Sequence, residues 1–421
     1  MKFFFKLSIF FIAVFFTAPL FAQENKPVTL KTIPVKTKNS DGKDTTVVKD
    51  TTIVNAKGVR QIDVSELLEQ VFHIKPGKKA DTVSSKASIS LAPGIGYTLV
   101  SKLAVVVAGN VAFRTGPQSR ISAIVGSTSF TQKKQFTLPV QSSIWSPSNA
   151  FNFIGDDRFY KYPQSTYGLG SSSNLKHEDP MDYSYVRFYE TALRHVAGNL
   201  YAGAGYIIDY HWNITDKGDF NDYAAYSKDS YTIATGFTLN ALLDSRDNAI
   251  NPHKGGYASA QYRDNFTFLG STSAWSSLVI DLRKYINLPA GSNNVLALWS
   301  YDWLILNGKP GFLDLPSNQW DAFSATGRGY IQGRFRGAQM VYGEAEYRYR
   351  ITGNGLIGGV VFLNAESLSA APGTRLQGIQ LGFGPGLRIK LNTISKTNIC
   401  IDYGFGRQGS NGLFIDVGEI F

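Results

Sequence analysis

The residues of this 421-residue chain whose types could support chemistry are its histidines, its single cysteine and a cluster of arginines. No histidine lies at ligand spacing from a second histidine, a cysteine or paired carboxylates, so we predict no metal site. A hydrolase would need a serine or threonine nucleophile with a histidine base, and His195 and His211 could in principle serve. However, His211 falls on the polar side of an alternating segment, where a histidine needs no special role. We therefore predict no catalytic residue and no cofactor. Cys400 has no second cysteine with which to form an intramolecular disulfide.

The arginines are densest in residues 326–337, which read TGRGYIQGRFRG and intersperse three arginines with glycines. Such stretches usually lie in solvent, as flexible loops or nucleic-acid-binding tails. This one lies between two segments that are full of aromatic and apolar residues. What its guanidinium groups pair with therefore depends on the elements that surround it.

The amino terminus predicts export. Residues 1–22 combine a positive head, Lys2 and Lys6, with an apolar stretch over 7–20 and a small residue before Gln23, which is typical of a secretory signal peptide. A retained membrane anchor is the alternative. An exported chain does not meet RNA inside the cell, so we expect no nucleic-acid partner despite the net charge of +10. The surplus positive charge is expected to face anionic lipid headgroups or to line a lumen.

Alternation of apolar and polar residues predicts the fold class. In residues 199–214, NLYAGAGYIIDYHWNI, the even positions are apolar and the odd ones mostly small or polar, with Tyr201 and Ile207 as exceptions. The same period of two recurs at 231–244 and 339–351. These segments exceed the roughly five or six residues usual for soluble strands, and they carry aromatics near their ends. We therefore predict an all-β fold, a transmembrane antiparallel β-barrel with a wet lumen in a bacterial outer membrane.

About sixteen strands, an even number as bacterial barrels require, can be counted from residue 86. They are 86–97, 101–114, 119–131, 134–146, 150–160, 180–193, 199–213, 230–245, 255–267, 273–287, 293–306, 337–350, 356–369, 377–391, 396–407 and 411–421. With a periplasmic amino terminus, short turns such as 196–199 and 352–355 fall in the periplasm. The long connections 161–179, 215–229 and 307–336 then fall outside, and the arginine cluster ends the longest of them.

The end of the sequence, GLFIDVGEIF, predicts a last strand that runs to Phe421. Leu413, Ile415, Val417 and Phe421 alternate as apolar positions, with Glu419 as the exception. A final strand that ends on an aromatic residue resembles the signal that outer-membrane assembly machinery reads. We therefore expect that machinery, and outer-membrane lipid, to be partners of the chain during its own insertion.

Residues 23–85 predict a different kind of segment, placed in the periplasm before a barrel over 86–421. They are rich in Lys, Thr and Val with few aromatics, so we expect a mostly irregular segment. One small helix is predicted near 63–72, with Asp63 as its N-cap and Glu66 at the capping-box position. Two interpretations stay open: the helix packs on or enters the barrel mouth, or it is a loose tether.

The cluster at 326–337 resembles a loop of the BamA/TamA-type barrel superfamily, also called bacterial surface antigens. In that family the sixth external loop folds into the lumen and carries an Arg-Gly-aromatic tip, matched here by Arg328, Gly329 and Tyr330. The resemblance implies that loop 307–336 folds inward and that its arginine pairs with acids on the inner wall. Glu346 and Glu344, on the polar face of the next strand, match that expectation, and we predict an Arg328–Glu346 ion pair.

The following strand departs from the family pattern. The aspartate expected there falls on Asn364, which carries no charge, and Glu366 on the same face is the residue that could compensate. Other stretches extend the resemblance over about 86–421: APGIGYTL at 92–99 and GFGPGLRI at 382–389 resemble its first and late strands. The segment LLDSRDNAINPHKGGY resembles a periplasmic turn motif, matched by Asp244, Arg246, Asp247, Pro252 and Gly256.

The resemblance implies a protein that helps to insert or translocate proteins or lipids at the outer membrane. Members with such roles usually carry periplasmic POTRA repeats, and residues 23–85 are too short and too irregular for one. Two other functions therefore stay open: a passive or gated channel, and a surface-exposed structural or adhesive protein. The sequence identifies no protein substrate and leaves a homodimer open.

Overall fold

The computed structural model describes most of the chain from residue 30 onward. The described residues are 30–38, 44–53, 59–64, 66–67, 87–98, 101–220, 222–227, 229–322, 324–393 and 396–421. The predicted signal peptide at 1–22 lies outside them. No helix within these ranges is long and apolar enough to cross a membrane.

Strands dominate the described residues. They are β1 (Leu30–Lys38), β2 (Asp44–Ile53), β3 (Ser88–Thr98), β4 (Lys102–Phe113), β5 (Ser122–Thr131), β6 (Phe136–Trp145), β7 (Phe151–Lys161), β8 (Gln164–Thr166), β9 (Asp179–Ala197), β10 (Leu200–Asp216), β11 (Tyr231–Asp244), β12 (Gly255–Asn265), β13 (Trp275–Asn287), β14 (Val295–Gly308), β15 (Gln339–Arg350), β16 (Ile357–Ser369), β17 (Gln380–Lys390), β18 (Asn398–Phe405) and β19 (Asn411–Val417). A short helix, α1 (Asp222–Tyr226), lies between β10 and β11.

Strands β3 to β19 form one closed antiparallel barrel in which sequence neighbours pair, apart from β7 and β8, and β19 lies beside β3. The short β8 pairs with the first three residues of β9, and β7 pairs with a later part of the same strand. The two strands therefore share one position in the wall. The wall therefore has sixteen positions. The predicted all-β barrel of about sixteen strands is confirmed, and closure leaves no unpaired strand edge in the wall.

Alternation along each strand separates an outer apolar face from an inner polar one, as predicted. In β11, Phe237 and Leu239 are half or more exposed on the outside, whereas Thr238 between them is buried. One position in β10 was predicted wrongly. A bulge around Asn213, which has a positive φ of 53°, shifts the register, so Ile214 is buried inside instead of facing out.

The connections differ between the two ends of the barrel. The three longest, 167–178, 217–230 and 309–338, all lie at the same end, which we name the loop end. The opposite end, the turn end, carries connections such as 198–199 and 351–356. We name the connection 309–338 loop L6. The arginine cluster lies in its second half, where the strand count predicted it.

The segment before the barrel contains a hairpin that we did not predict. Strands β1 and β2 pair in antiparallel fashion over their full length, and only their backbone is described. The sequence carries a signal for it, because Asp41-Gly42 lies between two stretches rich in Val, Thr and Ile. The low aromatic content and the many lysines obscured that signal.

The helix predicted near 63–72 is described only at its first turn, which docks on the turn end of the barrel. Asp63 Oδ1 accepts a hydrogen bond from Glu66 N (3.1 Å), as an N-cap does. Its Oδ2 accepts from both the main-chain N and the hydroxyl of Thr393 (3.0 Å each), in the turn between β17 and β18. Ile62 N also donates to Asn354 O (3.2 Å), in the turn between β15 and β16. Asp63 thus both begins the helix and fastens it to the barrel.

Replacing Asp63 by alanine is expected to free residues 59–67 from the barrel without unfolding it. The cap bond alone is worth about 1 kcal/mol, which corresponds to roughly fivefold in an opening equilibrium. Limited trypsin digestion, read at Arg60 by mass spectrometry, should therefore cleave the variant about fivefold faster or more. Glu66→Ala is the matched control, because it keeps Asp63 and removes an ion pair of 3.4 Å with the exposed Arg60, which is worth little. Equal cleavage of Asp63→Ala and the wild type would contradict the docking.

Candidate functional site: the tip of loop L6 in the lumen

Loop L6 folds back into the barrel and fills much of its lumen. Its two arms are joined by an isolated β-bridge between Ser317 and Arg336, and Ser317 Oγ donates to Phe335 O (2.8 Å). The guanidinium of Arg336 donates to carbonyl oxygens in residues 312–315 (3.1 to 3.5 Å) and so ties the two arms together at their base. Arg328, at the far end, is only 2% exposed. The alternative of a loose solvent loop is therefore wrong.

Polar side chains within L6 fix the conformation of its tip. Asp321 Oδ1 accepts from the main-chain N (3.0 Å) and the hydroxyl (2.7 Å) of Thr326. The same hydroxyl accepts from Gln319 N (2.7 Å). Gly327 and Gly329 adopt φ values of 76° and 107°, which residues other than glycine rarely adopt. The chain can therefore turn on both sides of Arg328. Contacts within the loop thus help to hold the tip in this conformation.

Arg328 binds three carboxylates at once. One guanidinium nitrogen, Nη2, contacts both Glu344 and Glu346 of β15, and Nη1 contacts Asp402 of β18. The guanidinium lies over the ring of Phe362, 3.9 Å from its centroid. All four charged groups are buried, so each depends on the others for compensation. The structure therefore places Arg328 against both predicted glutamates and adds an aspartate that we did not predict.

The strand that departs from the family pattern, β16, contributes no charge to this contact. Asn364 Nδ2 donates to the main-chain oxygen of Arg328 (3.0 Å), so it holds the backbone of the tip and not its guanidinium. Glu366 does not compensate for the missing aspartate. It lies beneath Gly327, where neither of its carboxylate oxygens has a hydrogen-bond partner among the described residues. Asp402, two strands further along the wall, supplies the third carboxylate.

Glycines on the wall make room for the tip. A Cβ added to Gly382 would lie 2.4 Å from Arg328 O, and one added to Gly404 would lie 2.6 Å from Gly329 N. Gly329 itself approaches the main chain of Phe405, because its own Cβ would lie 2.8 Å from that carbonyl oxygen. The glycines of GFGPG in β17 thus include one that relieves crowding against the loop tip, which is the role expected of them in a strand.

Tyr330 anchors the tip on the side of the loop end. Its hydroxyl donates to Leu381 O (2.6 Å) and accepts from Arg407 N (2.9 Å). Its ring packs edge-on against Phe335 of the returning arm, with centroids 5.0 Å apart. Each of the three residues of the Arg-Gly-aromatic tip therefore contacts the wall by a different means: charge, close backbone approach and a hydroxyl bridge.

The ion cluster continues from Arg328 toward the turn end. Arg388 of β17 contacts Asp402, and its Nε lies 2.9 Å from Glu419 Oε2. Arg348 of β15 lies 2.5 Å from Glu346 Oε1 and 3.6 Å from Glu419 Oε2. Of the carboxylates that hold Arg328, Asp402 thus also contacts Arg388, and Glu346 contacts both Arg348 and Arg388. No role was predicted for Arg348, Arg388 or Asp402.

The last four residues, 418–421, leave the wall and enter the lumen, which corrects the predicted final strand. β19 ends at Val417, and Gly418 turns inward with a φ of 109°. Phe421 is 3% exposed and stacks on Trp299 of β14, with centroids 5.1 Å apart. Leu413, Ile415 and Val417 keep the predicted alternation, but Phe421 does not continue it. Glu419, the exception to the apolar pattern, is the residue that draws this tail into the ion cluster.

The predicted turn motif forms a separate structure at the turn end. Arg246 Nη2 lies 2.8 Å from Asp244 Oδ2. Asp247 Oδ1 accepts from the main-chain nitrogens of residues 253 and 254 (2.8 and 3.2 Å), which closes the turn. The remaining residues of the motif are the buried Pro252 and the half-buried Gly256. These contacts shape the turn and do not reach the tip of L6.

The base of L6 carries a second buried carboxyl, Asp314. Burial raises its pKa to about 7, against the opposing effect of Arg263. Its Oδ1 lies 3.6 Å from His211 Nδ1, and its Oδ2 has no hydrogen-bond partner among the described residues. A carboxyl with that pKa carries its proton part of the time near neutral pH. His211 is thus a luminal residue under the base of the loop, stacked on Tyr185 at 4.4 Å.

A parity argument would have found the missed residues. In β18, Ile401 and Tyr403 alternate with Cys400 and Asp402, and in β17 the apolar Leu387 and Ile389 flank Arg388. Alternate residues of a strand lie on the same face, so a charged residue that alternates with outward-facing apolar residues must face the lumen. What no parity argument supplies is the distance from Asp402 to a loop that lies 74 positions earlier in the chain.

Comparisons with known proteins identify the family of the chain and relate its fold to solved barrels. The pattern of the Omp85 superfamily domain matches residues 113–409. The barrel resembles the crystal structure of BamA from Haemophilus ducreyi lacking POTRA domains 1–3, at 12% identity and a TM-score of 0.53, over 79% of this chain and 70% of that one. CdiB from Acinetobacter baumannii matches at 12% identity and a TM-score of 0.49, over 79% of this chain and 60% of that one. None of the curated proteins matches the chain.

Proposed function

Because the chain belongs to the Omp85 superfamily of outer-membrane barrels, a family that is not enzymatic, we propose that it helps to insert or translocate proteins or lipids at that membrane. The observation that carries the proposal is the seating of loop L6, whose tip is held in the lumen by Arg328 and three carboxylates. We place the loop end outside the cell and the turn end in the periplasm. The N-terminal segment that docks through Asp63 would then lie on the periplasmic side.

The filled lumen argues against a passive pore. Arg328, Tyr330, Phe335 and Arg336 are all at most 3% exposed, so the loop packs as a core element and leaves no open path beside these residues. Conduction or transport through the lumen would require L6 to leave its seat. We propose that L6 alternates between this seated arrangement and a released one, which suits a regulated step better than free diffusion.

Depletion of the protein followed by quantitative outer-membrane proteomics tests the proposal. We expect a broad loss of other barrel proteins, because an assembly factor limits many clients at once. Site-specific crosslinking from the wall near the β3–β19 seam should in that case capture client chains. A membrane proteome that stays unchanged, together with unchanged lipid asymmetry, would remove the assembly and translocation role.

A gated channel is the second candidate function, and it is supported by the same observation, that loop L6 fills the lumen. Deleting residues 309–338 should then raise single-channel conductance in planar bilayers from a low value to a large steady one. For an assembly factor the deletion also opens a pore, but only the channel interpretation leaves client levels intact during depletion. The two experiments together therefore separate the candidates.

A further inference from the structure

A small pocket of about 100 Å³ opens at the turn end of the barrel, between the wall and Gln61 of the docked N-terminal segment. Most of the charged side chains in its described lining are basic: Arg348, Arg350, Arg388 and Lys390. Glu419 is the one acidic side chain that lines it. The formal charge of the lining is therefore +3, and Glu346 and Asp402, which lie deeper, reduce it to +1.

Two of these cations have no acidic partner. Neither Arg350 nor Lys390 lies within ion-pair distance of a carboxylate among the described residues. Lys390 Nζ donates to a main-chain oxygen, that of Lys396, at 3.3 Å. Cations left in this state at the mouth of a barrel attract a counter-ion, since an unpaired charge in a partly dry site is costly.

A buried donor points to the same place. Arg348 is 6% exposed, and its Nη1 has no hydrogen-bond partner among the described residues, although its Nε binds Glu346. Buried guanidinium nitrogens are normally satisfied, so this unsatisfied nitrogen, on a residue that lines the pocket, indicates a missing acceptor. Glu419 approaches Arg348 through Nε, not through this nitrogen.

The sheet register forms a floor without side chains under these donors. Gly358 of β16 lies directly between Arg350 of β15 and Arg388 of β17 in the ladder. Neighbouring strands lie about 4.8 Å apart, so the backbones of the two arginines are about 10 Å apart across the glycine. Both side chains are long enough to reach one oxyanion held above Gly358. Arginine donors at this spacing suit the several acceptor oxygens of a tetrahedral oxyanion.

We infer that this pocket is an anion site that binds a phosphate group, either inorganic phosphate or the phosphate of an anionic lipid headgroup. The group lies over Gly358, accepts from Arg348 Nη1 and Arg350 and is neutralised by Lys390. Its site adjoins the cluster that holds Arg328, because Arg388 belongs to both. The site does not depend on the proposed function of the barrel.

Isothermal titration of inorganic phosphate into the refolded full chain in zwitterionic detergent tests the site. The variant Arg350→Gln/Lys390→Gln removes the two unpaired charges, and heat-modifiable gel migration verifies that it folds. We expect it to bind phosphate at least about tenfold more weakly than the wild type. Lys254→Gln, a turn-end lysine outside the pocket, should bind as the wild type does. No phosphate binding by the folded wild type at about 10 mM, or equal binding by the double variant, would overturn the site.

The source of the phosphate is read from a second arm of the same experiment. Wild-type protein in nanodiscs of phosphatidylglycerol is compared with protein in nanodiscs of phosphatidylcholine. If the headgroup is the natural occupant, the anionic lipid should lower the apparent affinity for inorganic phosphate, and the double variant should abolish that difference. If free phosphate is the occupant, the two lipids give equal affinities in the wild type.

Discussion

Replacing Arg328 by alanine is expected to release loop L6 from the lumen and to destabilise the barrel by about 3–5 kcal/mol. The change removes the one cation that Glu344, Glu346 and Asp402 share. Arg348 and Arg388 still compensate Glu346 and Asp402 in part, but Glu344 is left with no cation in contact among the described residues. The cost therefore arises chiefly from carboxylates left buried without their counter-charge, more than from the lost contact itself.

Two measurements check this result. Urea unfolding in detergent, followed by heat-modifiable gel migration, should show the loss of stability, and trypsin should cut within residues 309–338 only in the variant. Arg375→Ala, which removes an exposed arginine from another connection at the loop end, is the matched control and should behave as the wild type. Arg328→Lys keeps the positive charge but loses the forked guanidinium that spans three carboxylates. Its stability should therefore lie between those of the wild type and Arg328→Ala. If Arg328→Ala keeps wild-type stability and protease resistance, Arg328 does not anchor L6 in the lumen.

Replacing Phe421 by alanine is expected to cost about 3–4 kcal/mol in the folded barrel, as the loss of a buried aromatic does. The ring stacks on Trp299 and lies 6.4 Å from Tyr285, so its removal leaves a cavity in a packed lumen. A lipid-facing aromatic at the same position would cost far less, because lipid chains would fill the space. The size of the effect thus distinguishes the luminal tail from the predicted straight strand.

Val417→Ala is the control for this prediction. Val417 is four residues earlier, faces outward and is 63% exposed, so its truncation should cost less than about 1 kcal/mol. Both variants are refolded from urea with purified components, which separates folded-state stability from recognition of the final strand by assembly machinery. Equal costs for the two variants would mean that the tail does not pack in the lumen.

Local patterns determined much of the wall. The period of two in segments such as 231–244 gave strand positions and inward faces, because a single strand fixes both once one side is apolar. The resemblance carried by Arg328, Gly329 and Tyr330 gave the loop and its first partners, since Glu344 and Glu346 lie on the adjoining strand β15. The pattern failed at Ile214 because one bulged residue reverses the parity of everything that follows it.

The end of the chain shows why contacts inside the lumen could not be predicted from local alternation. Alternation from Leu413 to Val417 extrapolates to Phe421, and nothing local contradicts it except Glu419. What turns the tail inward is a group of arginines on β15 and β17 together with Trp299, all distant in sequence. In the sequence, Glu419 is only one exception to an apolar pattern. In the folded barrel it lies beside Arg348 and Arg388, which explains why the tail enters the lumen.

Sequence patterns alone were enough to predict the class of protein, the sixteen positions of the barrel wall, most of the strand faces and the arginine at the tip of the long loop. These follow from period, length and residue type, which act over a few neighbouring positions. The folded barrel was needed to find that Asp402 replaces the missing acid of β16 and that Phe421 lies in the lumen. Both depend on barrel closure, which brings β18 and the tail against β15 and L6, and no local pattern encodes the distance across a closed lumen.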